Sequence, residues 1–224
     1  NLPSYRACSQ MLSSISGYQY TRRAWRKEAF EMFMEPLFFQ MDVRSIAFWR
    51  VIIDNLMTHD KTTFKDLMGR VTITQSGSLN LFSSKEQEYE LRSQMMKRLA
   101  FTIFCSETDQ YQRAMPEVQE RLAECLRLPQ VANVMSSVFL CFRVLILRMS
   151  PQHLTSLWPT IITEMVQVLL QIEQELSTET DEFNLPVVVY FETPVSTQIQ
   201  RIAALDSSWA HLGNGLNAHN NPAW

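Results

Sequence analysis

Apolar side chains recur along most of the chain at steps of three and four residues, the spacing of one face of an α-helix. The clearest stripe covers residues 111–125, and a second covers 91–103 with Lys97 and Arg98 on its polar flank. Residues 131–149 are apolar on most sides, as expected for a helix that other helices surround. The pattern therefore predicts a core built around the middle of the chain.

Further helices are predicted on both sides of this region, several with a start signal of their own. Asp42, Ser83 and Ser84 are candidate N-caps, because short polar side chains accept hydrogen bonds from the first free N–H groups of a helix. Pro151 and Pro159 stand where a first helical turn tolerates proline. Only 5 glycines occur in 224 residues, which also favours helix. We expect an all-α fold of roughly eight helices, with antiparallel helical hairpins stacked either as a HEAT-like α-solenoid or as a bundle.

The composition changes at Ser177, and we place a domain boundary there. Residues 1–177 form the predicted helical domain, and 178–182 form an acidic polar linker. Residues 185–195 are rich in β-branched and aromatic side chains, which predicts an edge strand or an extended segment lying on the helices. The rest is rich in Gly, Asn and His, so 178–224 is predicted to be a short extended appendage that ends in a loosely ordered tail.

The charge balance and the cysteine spacing exclude several classes of protein. The chain has 20 Lys and Arg against 23 Asp and Glu, a formal net charge of -3, which argues against a dedicated nucleic-acid binder. No run approaches the ~20 apolar residues of a membrane-spanning helix, and no signal peptide is visible. Cys8, Cys105, Cys125 and Cys141 lie far apart without a C-x-x-C pair, which is typical of reduced thiols in a cytoplasmic protein.

The sequence lacks the common catalytic and metal-binding motifs. It contains no glycine-rich phosphate loop, no dinucleotide fingerprint and no nucleophile elbow, and its four histidines fit no zinc spacing. His59 followed by Asp60 has the composition of an acid–base pair, but the same residues between two helices are typical of a capped turn. We therefore expect no catalytic residue, no cofactor and no metal, with a cryptic enzyme using His59 or His153 as the alternative.

A run of basic residues opens the predicted second helix. The candidate residues for contact with anionic lipid or an acidic partner are Arg22, Arg23, Trp25, Arg26 and Lys27. Phenylalanines follow in the same segment, so the composition is that of a basic amphipathic helix. The alternative is that the aromatic side chains belong to the core and the basic ones form a solvated face.

The last predicted helix carries a heptad stripe. Its steps of 4, 3, 4, 3 and 4 run through Trp158, Ile162, Met165, Leu169, Ile172 and Leu176. This stripe is a candidate helix-pairing seam, and a homodimer is one assembly that it would support. It spans fewer than the ~3–4 heptads of a persuasive coiled coil. Ile161 and Val168 widen the stripe, so packing in the core is the alternative.

Four long, non-repetitive stretches carry a resemblance to a known family. They are TRRAWRKEAFEMFMEPLFFQMD (21–42), IIDNLMTHDKTTFKDLM (52–68), ERLAECLRLPQV (120–131) and FRVLILRMSPQHLTSLWPTIITEMVQV (142–168). The stretches resemble the carboxyl-terminal region of the Dopey family of large eukaryotic membrane-trafficking proteins. The resemblance covers about residues 17–176. The tail from Leu185 onward differs from the aromatic-rich ending of the family.

The resemblance implies a non-enzymatic scaffold, cytoplasmic but peripheral to Golgi and endosomal membranes, that acts in endosome-to-Golgi retrograde transport. It implies a Mon-type helical-repeat scaffold as partner and a link to P4-ATPase phospholipid flippases, with no catalytic residue set. Family contacts with lipid and kinesin belong to the amino-terminal part and are not carried over to these residues. The leading hypothesis is a protein-assembly module. The alternative is a peripheral membrane-binding domain that recognises anionic lipid through the basic amphipathic helix.

Overall fold

The structure is a computed structural model that describes residues 2–59, 61–75, 84–127 and 131–177. Within these ranges the regular secondary structure is helical, so the all-α prediction is confirmed. The predicted appendage, 178–224 with its edge strand at 185–195, lies outside the described residues.

The described part of the chain forms nine α-helices and three short 3-10 turns. The α-helices are α1 (Leu2–Ser16), α2 (Arg22–Met34), α3 (Val43–Thr58), α4 (Lys61–Gln75), α5 (Lys85–Cys105), α6 (Met115–Leu126), α7 (Ala132–Arg148), α8 (Pro151–Leu154) and α9 (Trp158–Ser177). The 3-10 turns are Gln19–Thr21, Phe38–Gln40 and Gln112–Ala114. The predicted stripe at 91–103 lies on α5, the stripe at 111–125 covers the third 3-10 turn and α6, and the apolar segment 131–149 is α7.

Polar caps begin two of the helices where the sequence predicts them. The Asp42 carboxylate accepts hydrogen bonds from the backbone N–H groups of Arg44 and Ser45, at 3.1 and 3.2 Å. Ser84 and Gln87 form a reciprocal capping box at the start of α5. These bonds satisfy N–H groups that the first turn of a helix leaves without intrahelical partners. The caps therefore fix where α3 and α5 begin.

α1 and α3, which are two apart in the sequence, lie side by side and run parallel. Arg6, near the start of α1, places its Nη2 3.2 Å from the carboxylate of the Asp42 cap of α3. At the other end of the same two helices, the Asn55 side-chain amide donates to the Ser16 hydroxyl at 3.0 Å. The first pair joins start to start and the second joins end to end, so α1 and α3 are parallel.

The same relation holds for α5 and α7, which are the most extensively packed pair among the described helices. The Ser93 hydroxyl in the first half of α5 donates to the Asn133 carbonyl at the start of α7, at 3.0 Å. At the far end, the Arg148 guanidinium donates to the Ser106 carbonyl just after α5. The two helices are therefore also parallel, and a small side chain, Ser93, lies at their contact.

Parallel neighbours two helices apart are typical of stacked hairpins, in which each hairpin adds one helix to each of two layers. α1, α3, α5 and α7 follow one another in the first layer. α2, α4 and α6 form the second layer, which covers the first. In an up-and-down bundle the nearest neighbours would be antiparallel. The structure thus favours the α-solenoid form of the predicted fold.

Buried apolar side chains form two clusters that meet at α5. In the first, the Phe38 ring packs edge to face against Phe33, Trp49 and Phe101, with ring centroids 5.0, 5.1 and 5.8 Å away. The second is mainly aliphatic and surrounds α5 and α7. α5 contributes Phe101 to the first cluster and Leu99 to the second. This helix therefore belongs to both halves of the core.

Arg98 of α5 is buried, although the sequence pattern places it on a polar flank. Its guanidinium donates to the carbonyls of Phe33, Met34 and Glu35, at 2.7, 3.0 and 2.6 Å. These carbonyls lie at the end of α2, where a helix leaves its last C=O groups without intrahelical partners. Burial lowers the pKa of Arg98 to about 10, so the side chain stays charged at neutral pH.

Replacing Arg98 with Met should lower the free energy of unfolding by about 2 kcal/mol or more, because the Phe33 and Met34 carbonyls lose their donor at about 1–3 kcal/mol each. The Glu35 carbonyl keeps a hydrogen bond from the Phe38 N–H. Arg98→Lys should also destabilise the protein, since one ammonium group cannot reproduce a planar fork of donors. As a control, Lys85→Met on the exposed start of α5 should change the free energy by less than about 0.5 kcal/mol. Urea unfolding followed by circular dichroism measures all three variants. An Arg98→Met protein as stable as the wild type would contradict the role of this cation.

Candidate functional site

The basic run of the sequence lies on α2, in the second layer of helices. Arg23, Arg26 and Lys27 are exposed, and Arg22 is half-buried. At spacings of one, three and four residues, the four cations occupy one side of the helix. The Arg22 guanidinium donates to the Thr63 hydroxyl at 3.0 Å, which ties the start of α2 to the start of α4.

Trp25 is the exception in this predicted surface, because it lies in the core. It is 5% exposed, and its indole N–H donates to the Thr21 hydroxyl at 3.1 Å. Trp25, Ala29 and Phe33 are spaced by four residues and form the buried face of α2. Because this face packs against the other helices, α2 cannot lay it on a bilayer as the amphipathic-helix hypothesis requires.

A groove of about 550 Å³ lies between α2 and α4. Its cationic lining residues are Arg26, Lys27, Lys65 and Arg70. We call this feature the α2–α4 groove. The contribution of α4 is not visible in the sequence, since only the stacking of hairpins brings the two helices together. The basic run in α2 does not predict that cations of α4 lie beside it.

Arg70 is held in place towards one end of the α2–α4 groove. Its guanidinium donates to Glu31 Oε1 at 2.9 Å and lies 4.9 Å from the centre of the Phe30 ring. This contact joins the later turns of α2 and α4, as the Arg22 to Thr63 hydrogen bond joins their first turns. The two helices are therefore parallel, and side-chain contacts bridge them at both ends of the groove.

The heptad stripe of α9 is largely exposed. Four of its members are 39–60% exposed, a high value for large apolar side chains: Trp158, Ile162, Met165 and Leu169. Ile172 is half-buried, and the Leu176 side chain lies outside the described part of the structure. The core-packing alternative therefore does not describe this stripe. Exposed Val166 and Leu170 extend the apolar surface beyond a two-residue heptad seam.

Among the described side chains of α9, the buried one lies in the first turn. Ile161 is buried in the aliphatic cluster, together with Leu154 and Leu157 just before the helix. The side chains of Gln119 in α6 and Ser156 form a hydrogen bond at 3.0 Å. Beyond this turn, no other described helix packs extensively against α9. Among the helices that the structure describes, α9 included, none has the length and apolar composition needed to cross a membrane.

A partly buried polar cluster lies where α3, α5 and α7 end. Burial raises the pKa of Asp54, and Arg148 and His59 oppose that rise by electrostatic attraction. Burial also raises the pKa values of Cys105 and Tyr111, so the thiol and the phenol are neutral at physiological pH. The cluster thus presents no activated nucleophile. The sequence pattern gives no sign of this cluster, because its members come from separate segments.

Asp109 pins the loop after α5 to the start of α8. Its φ of 61° lies in the left-handed region that favours glycine. Its carboxylate accepts hydrogen bonds from the Ser150 hydroxyl and from the Ser150 backbone N–H, the latter at 2.7 Å. The Asp109 N–H in turn donates to the Arg148 carbonyl at 2.9 Å. The hydrogen bonds from Ser150, the hydroxyl first, lower the pKa of Asp109.

The two histidines considered for catalysis have different acidic neighbours. His59 caps the end of α3 near Asp54, whereas His153 lies in α8 near Asp109. Within the described ranges, no three or more His, Cys, Asp or Glu side chains are grouped so as to hold a metal ion. Cys8 is exposed and the other three cysteines are buried, all four as free thiols.

Comparison with known proteins gives one consistent family. The family model described as DOP1 C-terminal matches residues 4–191. Protein DOP1 homolog of Drosophila melanogaster is 51% identical over 221 residues, which cover 98% of this chain and 8% of that protein. Protein DOP1B of Mus musculus is 51% identical over 184 residues, 82% of this chain and 8% of that protein. Protein pad-1 of Caenorhabditis elegans is 45% identical over 172 residues, 77% of this chain and 7% of that protein.

The chain spans less than a tenth of the length of these relatives. No solved structure matches it. The family match includes the whole of the region, residues 17–176, on which the sequence resemblance rests.

Two carboxyl groups should affect stability in opposite directions with pH. The lowered pKa of Asp109 contributes stability above the usual carboxyl pKa of about 3.9, and this stability is lost as the pH falls through the folded-state pKa. Asp109→Asn should therefore destabilise the protein at pH 7 and have less effect near pH 3.

Asp54→Asn is the matched control, because its effect on stability should change with pH in the opposite direction. The raised pKa of Asp54 means that the folded protein favours the neutral carboxyl, so stability falls as the pH rises through the window between the unfolded and folded pKa values. The neutral amide should thus be better tolerated, relative to the wild type, at pH 7 than near pH 3. Urea unfolding across this pH range measures both variants. The same pH trend in both would contradict the assignment.

Proposed function

The chain belongs to the DOP1, or Dopey, family as part of its carboxyl-terminal region, and from this premise we propose that it is a non-enzymatic assembly module of a membrane-trafficking scaffold. The proposal extends to its partner and pathway. The module binds a Mon-type helical-repeat scaffold and acts in endosome-to-Golgi retrograde transport, on the cytoplasmic side of Golgi and endosomal membranes. A P4-ATPase flippase is a second partner of the same assembly.

The observation that carries the proposal is the exposed apolar face of α9. The helix is anchored by Ile161 at its base, while Ile162, Met165 and Leu169 beyond it are half or more exposed. A soluble protein rarely leaves a contiguous row of large apolar side chains in water, and such rows are typical of interaction surfaces. An amphipathic helix of this kind binds in an apolar groove, with contacts at steps of three and four residues.

The width and charge of the α9 face indicate that it binds a groove of another protein rather than a second copy of this helix. Val166 and Leu170 are exposed beside the heptad stripe, so the apolar surface is wider than the narrow seam of a two-stranded coiled coil. The sequence of α9 contains Glu164, Glu173 and Glu175 but no Lys or Arg. Pairing two copies in register would bring like charges together, whereas a groove with a basic rim would complement them. We propose that α9 binds in such a groove on the Mon-type scaffold.

Replacing Ile162 and Leu169 together with Glu should weaken the complex with the Mon-type partner by at least about 30-fold, because loss of buried anchor residues typically costs 2 kcal/mol or more. The double variant should fold normally, since both side chains are exposed. Light scattering during size-exclusion chromatography, with the chain alone and mixed with the partner, measures complex formation, and a titration gives the affinity.

The control adds the same two charges to α9 on exposed polar positions, as Thr163→Glu with Gln167→Glu. It should bind within about threefold of the wild type, because rim charges change affinity little. A chain that dimerises by itself, and loses the dimer in the Ile162 and Leu169 double variant, would assign the face to a second copy. A monomer that ignores the partner would overturn the proposal.

A further inference from the structure

We propose that residues 185–195, which we call the tail segment, fold back onto the apolar face of α9. This face consists of Ile162, Met165, Val166, Leu169 and Leu170. The tail segment lies outside the described residues, so α9, the family match and the sequence of the segment supply the support. The docking itself does not depend on the assembly function. Its consequence does rest on that function, because a docked tail segment competes with the protein partner for the same face.

The apolar face of α9 is left uncovered by the other described helices. Its side chains are 46–60% exposed. On a neighbouring side of the helix, Ile161 is buried, and Glu164, Val168 and Ile172 are half-buried. α9 therefore rests on the protein along one side and presents its apolar face on the flank. A contiguous apolar surface of this kind is typical of an interaction site.

The composition of the tail segment complements this face. It begins LPVVVYF, which carries no charge and is apolar apart from the Tyr190 hydroxyl. α9 contains Glu164, Glu173 and Glu175 but no Lys or Arg. An uncharged segment meets no repulsion from these carboxylates, and the acidic residues at 179–182 lie in the linker before it. Contact between the two apolar surfaces removes both from water, which is favourable.

Two prolines favour an extended path for the tail segment. Pro186 and Pro194 have no backbone N–H to donate, so the segment is poorly suited to a helix or to the middle of a sheet. Its side chains are then the main means of contact with α9. In an extended path, Val187, Val189 and Phe191 share one side, because successive side chains alternate. These three apolar groups suit an apolar surface that runs along a helix.

The family region continues past α9 into the tail segment. The match to the DOP1 C-terminal model runs to residue 191, whereas α9 ends at Ser177. The similarity to Protein DOP1 homolog of Drosophila melanogaster covers 98% of this chain and so includes 185–195. The linker and LPVVVYF therefore belong to the same unit of sequence as the helix, as expected for a segment that docks on it.

The linker has the length that this docking requires. Residues 178–184 reach up to about 24 Å when extended, at about 3.4 Å per residue. Ile162 lies about 22 Å along the helix from Ser177, at about 1.5 Å per residue. The start of the tail segment can therefore reach every part of the apolar face. A tether this short gives an effective concentration of about 1 mM, so a contact with a dissociation constant of about 0.1 mM is closed about 90% of the time.

The test measures the accessibility of the apolar face by thiol labelling of the 224-residue chain. Val166→Cys places one thiol on the face, in a Cys8→Ser background, because Cys8 is exposed and the other three natural cysteines are buried. The variant is compared in two chains, one with the natural tail segment and one with 185–191 replaced by a glycine–serine sequence of equal length. We expect a maleimide to label the natural chain at least about tenfold more slowly, because the face is open about a tenth of the time.

Two controls isolate the effect of the tail segment. Gln167→Cys, at an exposed position on the polar side of α9, should be labelled at the same rate in both chains. Replacing residues 211–217 with the same glycine–serine sequence should leave the slow labelling of Val166→Cys unchanged. Circular dichroism confirms that each variant keeps its helical content. Equal labelling of Val166→Cys in the natural and glycine–serine chains would overturn the docking. Protection that disappears on dilution would assign the cover to a second copy and would also overturn it.

Binding of the Mon-type partner tests the competition. The glycine–serine chain should bind the partner more tightly by the same factor of about ten, because both measurements report how often the face is open. Slowed labelling with equal affinity of the two chains would overturn the competition but not the docking. The assembly function is tested separately by the Ile162 and Leu169 double variant. If the tail segment does not protect the face, that function still stands, so the two failures are distinguishable.

Discussion

A single buried cation determines how the two layers of helices meet. Phe33, near the end of α2, is buried, and Phe38 in the following turn packs against it as well as against Trp49 and Phe101. The last carbonyls of a helix lack intrahelical partners, and a buried one such as that of Phe33 needs a donor from elsewhere in the protein. The Arg98 guanidinium of α5 supplies it, with bonds to three consecutive carbonyls. Since α5 also contributes to both core clusters, this contact fixes α2 relative to the centre of the fold.

The position of α2 in turn determines the groove beside it. With its end held by Arg98 and its start tied to Thr63 through Arg22, α2 lies parallel to α4 along most of its length. Two parallel helices with long basic side chains on their outer sides leave a charged channel between them. The cations therefore converge because of the stacking of successive hairpins, and no contact between the basic residues themselves is needed to bring them together.

The features that depend on local sequence could be predicted, and those that depend on stacking could not. Helix positions and the Asp42 and Ser84 caps follow from spacing and from side chains next to the backbone they bond. Whether a given side chain is buried or exposed is harder to predict. The pattern places Arg98 on a polar flank, yet it is buried, and it leaves Trp25 either on a surface or in the core, where the structure places it. An isolated sequence cannot show that a helix end from elsewhere in the chain will meet Arg98, nor that the face of Trp25 will be covered. The stripe of α9 has the same spacing in a core and on a surface, so only the structure shows that it is exposed.

The stacked-hairpin architecture explains why one small region can carry two separate surfaces. In a solenoid each hairpin contacts its immediate neighbours, so stability and shape are set locally. The α2–α4 groove lies in the second layer near α3, whereas α9 follows the last stacked helices and is anchored beside α6 by the turn around Ser156. α5 and α7, the most closely packed pair, lie between these two surfaces in the order of the stack. Exposed substitutions at the two surfaces share no partner among the contacts described, so their effects on stability should add independently. Substitutions at the α2–α4 groove and on the α9 face can therefore be compared one at a time in the same chain.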